Sequence, residues 1–223
     1  MRRVAEPEEL MDDAAQALAY ASADFADANQ RFVALLEAAA GGPLRGRLLD
    51  LGCGPADIPL LLAQRHPGLH LDAVDGAQAM LDLARHRLEA AGGAGRRIQL
   101  HCLHLPCSGL PASGYDYLVS NSLLHHLRDP AVLWQTAIDH ARPGAQILVM
   151  DLARPASELA VEALLETYAL GEPEVLRRDF RNSLIAAYTV EEVRGQLHDA
   201  GLHGLEVGMV SDRHLAVRGS IPG

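Results

Sequence analysis

Two stretches of this chain set glycines and acids where a nucleoside-bearing ligand needs them. Leu48 to Leu61, LLDLGCGPADIPLL, reads as an apolar strand running into Asp50, then a glycine loop, then the start of a helix. A second apolar strand, Leu69 to Asp75, ends in an acid 25 positions after Asp50 (75 − 50). A carboxylate at about that spacing can take both hydroxyls of a ribose. The loop does not suit a pyrophosphate. A dinucleotide fingerprint needs Gly-x-Gly-x-x-Gly, but here Gly52 and Gly54 are followed by Asp57 at the last position. An aspartate at a helix N-terminus repels a phosphate that seeks the same positive dipole end. Pro55, moreover, has no N–H to donate. A ligand with a sugar, no phosphates and a positively charged head fits better. Asp75 has a plainer alternative as the cap of the helix that follows it, Asp50 as a buried capping group, and Cys53 as a small residue tolerated beside a ligand.

A second group lies further on. Ser120, Asn121 and Ser122 close a strand, and His125 and His126 follow. A histidine there can accept a proton near neutral pH; alternatively, one ring merely fills space and bonds a carbonyl. Asp151 and Arg154 follow the next strand, and Tyr20, Asp24, Phe25, Asp179, Phe180 and Asn182 are further candidates to line a cleft. The run His101-Cys102-Leu-His104-Leu-Pro-Cys107 invites a metal reading. No second cluster completes four ligands, and His101 and Cys102 are adjacent on a strand and face opposite sides. No metal site is therefore expected.

Composition narrows the classes. The chain has 223 residues, 49% of them hydrophobic, which suits one α/β domain. Net charge is −10, without a basic cluster long enough to follow a phosphate backbone, so nucleic acid is not expected as a partner. No apolar run approaches the roughly 18 residues of a membrane span, and Met1-Arg-Arg leads into Glu6, Glu8 and Glu9 rather than a signal-peptide core, so a cytoplasmic protein without membrane insertion is expected. Three cysteines without paired spacing argue for reduced thiols.

The elements that must hold these residues alternate. An alanine-rich helical region spans about 8 to 40. Then come strand 47–51, helix 56–65, strand 69–74, helix 77–91, strands 97–103 and 115–120, helix 130–141 and strand 145–151. Such alternation predicts a parallel sheet with helices on both faces. Asp129-Pro130 marks the start of helix 130–141 and Pro143-Gly144 its end. A helix from Ser157 to Leu170 and the mixed-charge stretch 176–183 interrupt the pattern and read as a lid. Thr189 and Glu192 form a capping box, Gly201 ends that helix, and two strands, 205–210 and 214–218, follow.

In these motifs the chain resembles the class I S-adenosylmethionine-dependent methyltransferases. The likeness rests on Asp50-Leu-Gly-Cys-Gly54, on Val74-Asp75-Gly76 followed by Met80, on Tyr115 to Leu127, and on Pro143 to Asp151, continuing through Tyr188-Thr-Val-Glu-Glu and Ala200-Gly201-Leu202. Within the class the Leu-His-His element is similar to small-molecule methyltransferases related to the quinone C-methylating enzymes. The resemblance implies a Rossmann-like doubly wound sheet of seven mostly parallel strands with an antiparallel last strand. It implies a single domain, 1–223, composed of an N-terminal helical cap 1–45, a cofactor core 46–152, a lid 153–188 and a C-terminal helix and hairpin 189–223. It implies S-adenosylmethionine as cofactor, held by Tyr20, Asp50, Gly52, Cys53, Gly54, Asp75, Gly76, Met80, His101, Cys102, Ser120 and Asn121, and a small-molecule methyl acceptor beside His125, His126 and Asp151. Ala56 stands where the family often has a third loop glycine, and His101 where it often has an acid for the adenine. A cofactor-binding sensor or scaffold without catalysis is the alternative function; a nicotinamide oxidoreductase is disfavoured by Asp57 and the short chain.

Overall fold

The computed structural model describes residues 1–6, 10, 12–107, 109–110 and 114–221. The start of the alanine-rich region and the acids Glu8 and Glu9 lie partly or wholly outside these. Seven strands form one sheet: β1 (Gly46–Leu51), β2 (Leu69–Asp75), β3 (Ile98–Cys102), β4 (Tyr115–Asn121), β5 (Ala141–Leu152), β6 (Leu205–Met209) and β7 (His214–Ser220), in the order β3-β2-β1-β4-β5-β7-β6. The first five are mutually parallel, and β7 runs antiparallel to both its neighbours. The expected Rossmann-like fold is observed.

Chain order reverses between β1 and β4, so a crevice opens outside their carboxyl ends, where ligands bind in sheets of this kind. The helices α3 (Asp57–Arg65), α4 (Gln78–Ala90), α5 (Ala131–His140) and α8 (Val190–Asp199) connect the strands. Two cores result, one on each face. One joins Leu48, Leu71 and Ala73 to Phe32 and Leu36 of α2 (Ala26–Ala40); the other joins Leu49, Val74 and Leu118 to Trp134 and Leu197. Near-continuous burial of β1, β2 and β5 follows from helices covering both faces. No helix among the described residues is long and apolar enough to cross a membrane.

Besides shifts of one or two residues at element ends, three features differ from the sequence expectation. Strand β5 begins at Ala141 rather than 145, so Pro143 and Gly144 lie within it; the pairing with β4 shifts register between Tyr115 and Tyr117, which accommodates them. Pro130 is the cap of α5 rather than its first turn, and Asp129 instead accepts from the Ala131 N–H at 3.0 Å. The lid is also more ordered than its charges suggest. Besides α6 (Glu158–Tyr168) it contains a second helix, α7 (Glu174–Ala186), and Leu152, Val161, Leu165, Ala169, Leu184 and Ala187 form a core of their own beneath it. The ends of the insertion meet in a parallel bridge between Ala153 and Tyr188. The capping box of Thr189 and Glu192 is present, and Gly201 turns the chain out of α8 in the left-handed conformation.

Candidate active site

A cleft of about 540 Å³ opens at the switch point. Its floor is the glycine loop. The N–H groups of Gly52 and Cys53 both donate to the Val74 carbonyl, at 2.8 and 2.9 Å, which pins the loop against the end of β2. Gly52 and Gly54 have φ of +76° and +52°. A Cβ on Gly52 would meet Leu123 at 2.9 Å, whereas one on Gly54 would meet nothing within 4 Å. Gly54 therefore leaves room on the ligand side of the loop. Ala56 is left-handed as well, at φ +64°, which explains why a glycine is expected there.

Asp75 ties the loop to the next turn. Its two carboxylate oxygens accept from the N–H groups of Gly54 and Ala77, both at 2.8 Å. The cap-like role and the cleft-facing role thus coexist, since each oxygen keeps a lone pair for a ligand hydroxyl. Burial raises its pKa, opposed by these two bonds. Asp50 lies behind the loop, buried, and its pKa is pushed up to about 8 by burial and by the charge of Asp75. Cys53 is also buried, with its thiol pushed up by burial and both acids, so it is no nucleophile. Tyr20 reaches the cleft from α1 (Ala14–Ser22), its ring 4.8 Å from that of Phe25. Burial and the nearby acids push its phenol up to about 12 and keep it neutral.

Of the expected cofactor contacts, Tyr20, Gly52, Gly54, Asp75, Gly76, Met80 and Asn121 line the cleft. His101 does not. Its Nε2 bonds Asp72 at 2.7 Å, where Tyr115 and Arg47 also converge, near the starts of β1 and β4 and away from the strand ends that line the cleft. Leu103, His104 and Leu105 form that wall instead, one turn of chain further on. Cys102 is exposed, with its sulfur near the Gly76 carbonyl. Ser120 is buried and donates to the Leu51 carbonyl. Asp57 is not a bare charge: Arg87 pairs with it and also donates to the Ala21 carbonyl, fastening α3 to the N-terminal helices. The argument against a pyrophosphate therefore rests on Pro55 and the missing glycine.

The two histidines have separate environments. His126 is in the cleft wall, whereas His125 is buried behind it, with Nδ1 2.5 Å from Asp151. Asp151 also accepts from the backbone N–H groups of His125 and Leu152, at 3.2 and 2.6 Å. Burial works against the charge on His125, but Asp151 and Glu6 outweigh it and raise its pKa; Asp151 is correspondingly lowered in spite of its own burial. His125 and Asp151 thus brace the cleft without touching it.

Sequence reasoning missed the N-terminal strap. Arg3 donates to the carbonyls of Ala186, His125 and Leu127 and stacks 4.1 Å over Tyr188, while the Val4 N–H bonds Ile185. This carries Glu6 to 2.6 Å from His126 and within bonding distance of Ser183. Nothing in the spacing of Arg3 and Glu6 announces this. Asp179 bonds Gln16 and Phe180 packs into the lid core, so both hold the lid rather than line the cleft. Asp24 accepts from the Ala26 N–H at the start of α2, and Arg154 pairs with Glu192.

Residues 49–147 match the protein-family model described as a methyltransferase domain. Trans-aconitate 2-methyltransferase of Streptomyces coelicolor is 34% identical over 104 residues, covering 45% of this chain and 33% of that protein. The chain spans a third to about half of the length of the curated relatives it matches. Among solved structures, phosphoethanolamine N-methyltransferase 2 of Haemonchus contortus, in complex with phosphomonomethylethanolamine and S-adenosylhomocysteine, superposes with TM-score 0.71 at 16% identity, over 95% of this chain and 58% of that one. A SAM-dependent methyltransferase of Aquifex aeolicus gives 0.67 at 18%, over 94% and 98%. With its switch-point cleft and antiparallel β7, the chain shares its fold with these methyltransferases, and residues 49–147 are the part that also matches the methyltransferase-domain model.

Proposed function

We propose that the cleft binds S-adenosylmethionine across the ends of β1 and β2 and that the chain transfers its methyl group to a small molecule entering past His126. The observation that carries this is Asp75, an acid at the end of β2 bonded to the glycine loop yet open to the cleft. When bound, the cofactor supplies an electrophilic methyl carbon on a sulfonium, which becomes a thioether as the acceptor lone pair forms the new bond. The chain supplies the rest. Asp75 takes the ribose hydroxyls, Asp50, neutral in the free chain, ionises only against the arriving ammonium, and Leu103, Leu105 and Met80 give apolar walls for the base. Positioning supplies most of the rate, because alignment of two reactants is worth about 7–11 kcal/mol. His126 is the cleft group able to accept a proton if the acceptor must lose one.

One relative is named for trans-aconitate and one structural neighbour holds phosphomonomethylethanolamine, which favours a small polar acceptor here over a macromolecule. A kinship with quinone C-methylation rests on the Leu-His-His element, Leu124 to His126. Turnover of labelled methyl groups from S-adenosylmethionine into a metabolite extract tests the reading. Incorporation that disappears in Asp75→Ala supports it; tight cofactor binding with no transfer to any fraction would favour the sensor alternative.

A further inference from the structure

The cluster at the strap has a property that methyl transfer does not require. One donor atom from each of Glu6, His125 and His126 lies within 4.8 Å of the others, and the two rings are 4.1 Å apart. His126 Nδ1 is buried and forms an ion pair with a Glu6 oxygen 2.6 Å away. In addition, His125 gives its Nδ1 to Asp151, which leaves Nε2 as its ligating atom. A carboxylate behind the far nitrogen of a histidine fixes the ring and raises its basicity, an arrangement that recurs around metal-bound histidines. Glu6 is likewise held from behind, by the Ser183 hydroxyl at 2.7 Å.

We propose that Glu6, His125 and His126 bind a divalent transition-metal ion of the zinc type. Two imidazoles and one carboxylate suit zinc; magnesium and calcium ask for six or more oxygen ligands. The charges also balance. The two positive charges of the ion meet the carboxylates of Glu6 and Asp151. Three protein ligands leave a position open, and His126, in the cleft wall, puts the site at the edge of the cleft. There it takes an oxygen of a cleft ligand. Only the assignment of that oxygen to the methyl acceptor rests on the function proposed above; the metal site does not. The sequence could not show it, since Glu6 and His125 are 119 positions apart (125 − 6).

Cobalt(II), which takes zinc sites and absorbs in the visible, is the probe. Titrating the chelator-treated full chain is expected to give one equivalent of bound cobalt with ligand-field bands of low coordination number, and azide is expected to shift them through the open position. Glu6→Gln, which keeps the side-chain shape, and His126→Ala should each weaken cobalt binding at least about tenfold. Absence of a cobalt spectrum in the wild-type chain, or unchanged affinity in both variants, overturns the site. Binding of S-adenosylhomocysteine, measured on the same samples, is read independently, so failure of the metal site is distinguishable from failure of the methyl-transfer reading.

Discussion

At Asp50 and Asp75 two carboxylates share the root of one loop, and burial raises both pKa values. Asp50, pushed to about 8, holds a proton in the folded chain that the unfolded chain has already released near its ordinary pKa of about 3.9. For an acid whose folded pKa is raised, stability is fully present below the unfolded pKa and declines as pH rises toward about 8. Asp50→Asn is therefore expected to match wild type near about pH 4 and to exceed it increasingly up to about pH 8, in urea denaturation at a series of pH values. A stability gap that does not grow with pH would mean that Asp50 is charged in the fold. Gly54 poses the complementary test. Its φ of +52° strains any side chain, but the space beside it is open. Gly54→Val should therefore leave a folded protein, destabilised by roughly 1–2 kcal/mol, that no longer binds S-adenosylhomocysteine. Folded protein with wild-type affinity would show that the ligand does not pass over the loop.

At the scale of elements, the strap joins the insertion 153–188, expected as a lid, to the cleft wall at His126. The strap touches α7 through the Val4 and Arg3 bonds to Ile185 and Ala186, and α7 rests on a small core separate from those of the sheet. Segments with few buried contacts open at lower free energy than a central sheet, and a ligand bound only by the closed form raises that opening energy. Hydrogen exchange at Val4 and across residues 174–186 is expected to be faster than in β5 in the free protein and slowed by S-adenosylhomocysteine. Equal protection with and without ligand would make this a fixed wall and move acceptor entry to the side of Tyr20 and Phe25. The sheet elements were legible in the sequence because β1, β2 and β4 combine apolar runs with glycine or polar punctuation. Helix α7 was obscured by its charges, although Leu176, Phe180, Leu184 and Ala187 recur at steps of four, four and three, a helical stripe. The start of β5 was misread because Pro143-Gly144 resembles a helix stop; only pairing with Tyr115 reveals a strand there.

At the scale of the molecule, the order of the strands puts the cleft where it is. The reversal between β1 and β4 gathers the glycine loop, Asp75 and Asn121 at one edge, and all three were readable as strand-end residues. What closes that edge was not readable. Glu6 comes from a segment whose local sequence carries no ligand signature, and it reaches His126 only through long-range packing. His101 is absent from the cleft wall for a related reason: a long-range bond to Asp72 draws its ring back from the strand ends. The central claim remains that the edge is built for a nucleoside with a sulfonium and an ammonium rather than a pyrophosphate. Calorimetric titration of the full chain with S-adenosylmethionine and, in parallel, with NAD tests it most directly. One-to-one binding of S-adenosylmethionine, weakened more than about tenfold in Asp75→Ala by loss of charged hydrogen bonds worth roughly 1.5–3 kcal/mol each, with no NAD binding, is the predicted result. NAD binding at equal or higher affinity, or an Asp75→Ala variant that binds S-adenosylmethionine as wild type does, would contradict it.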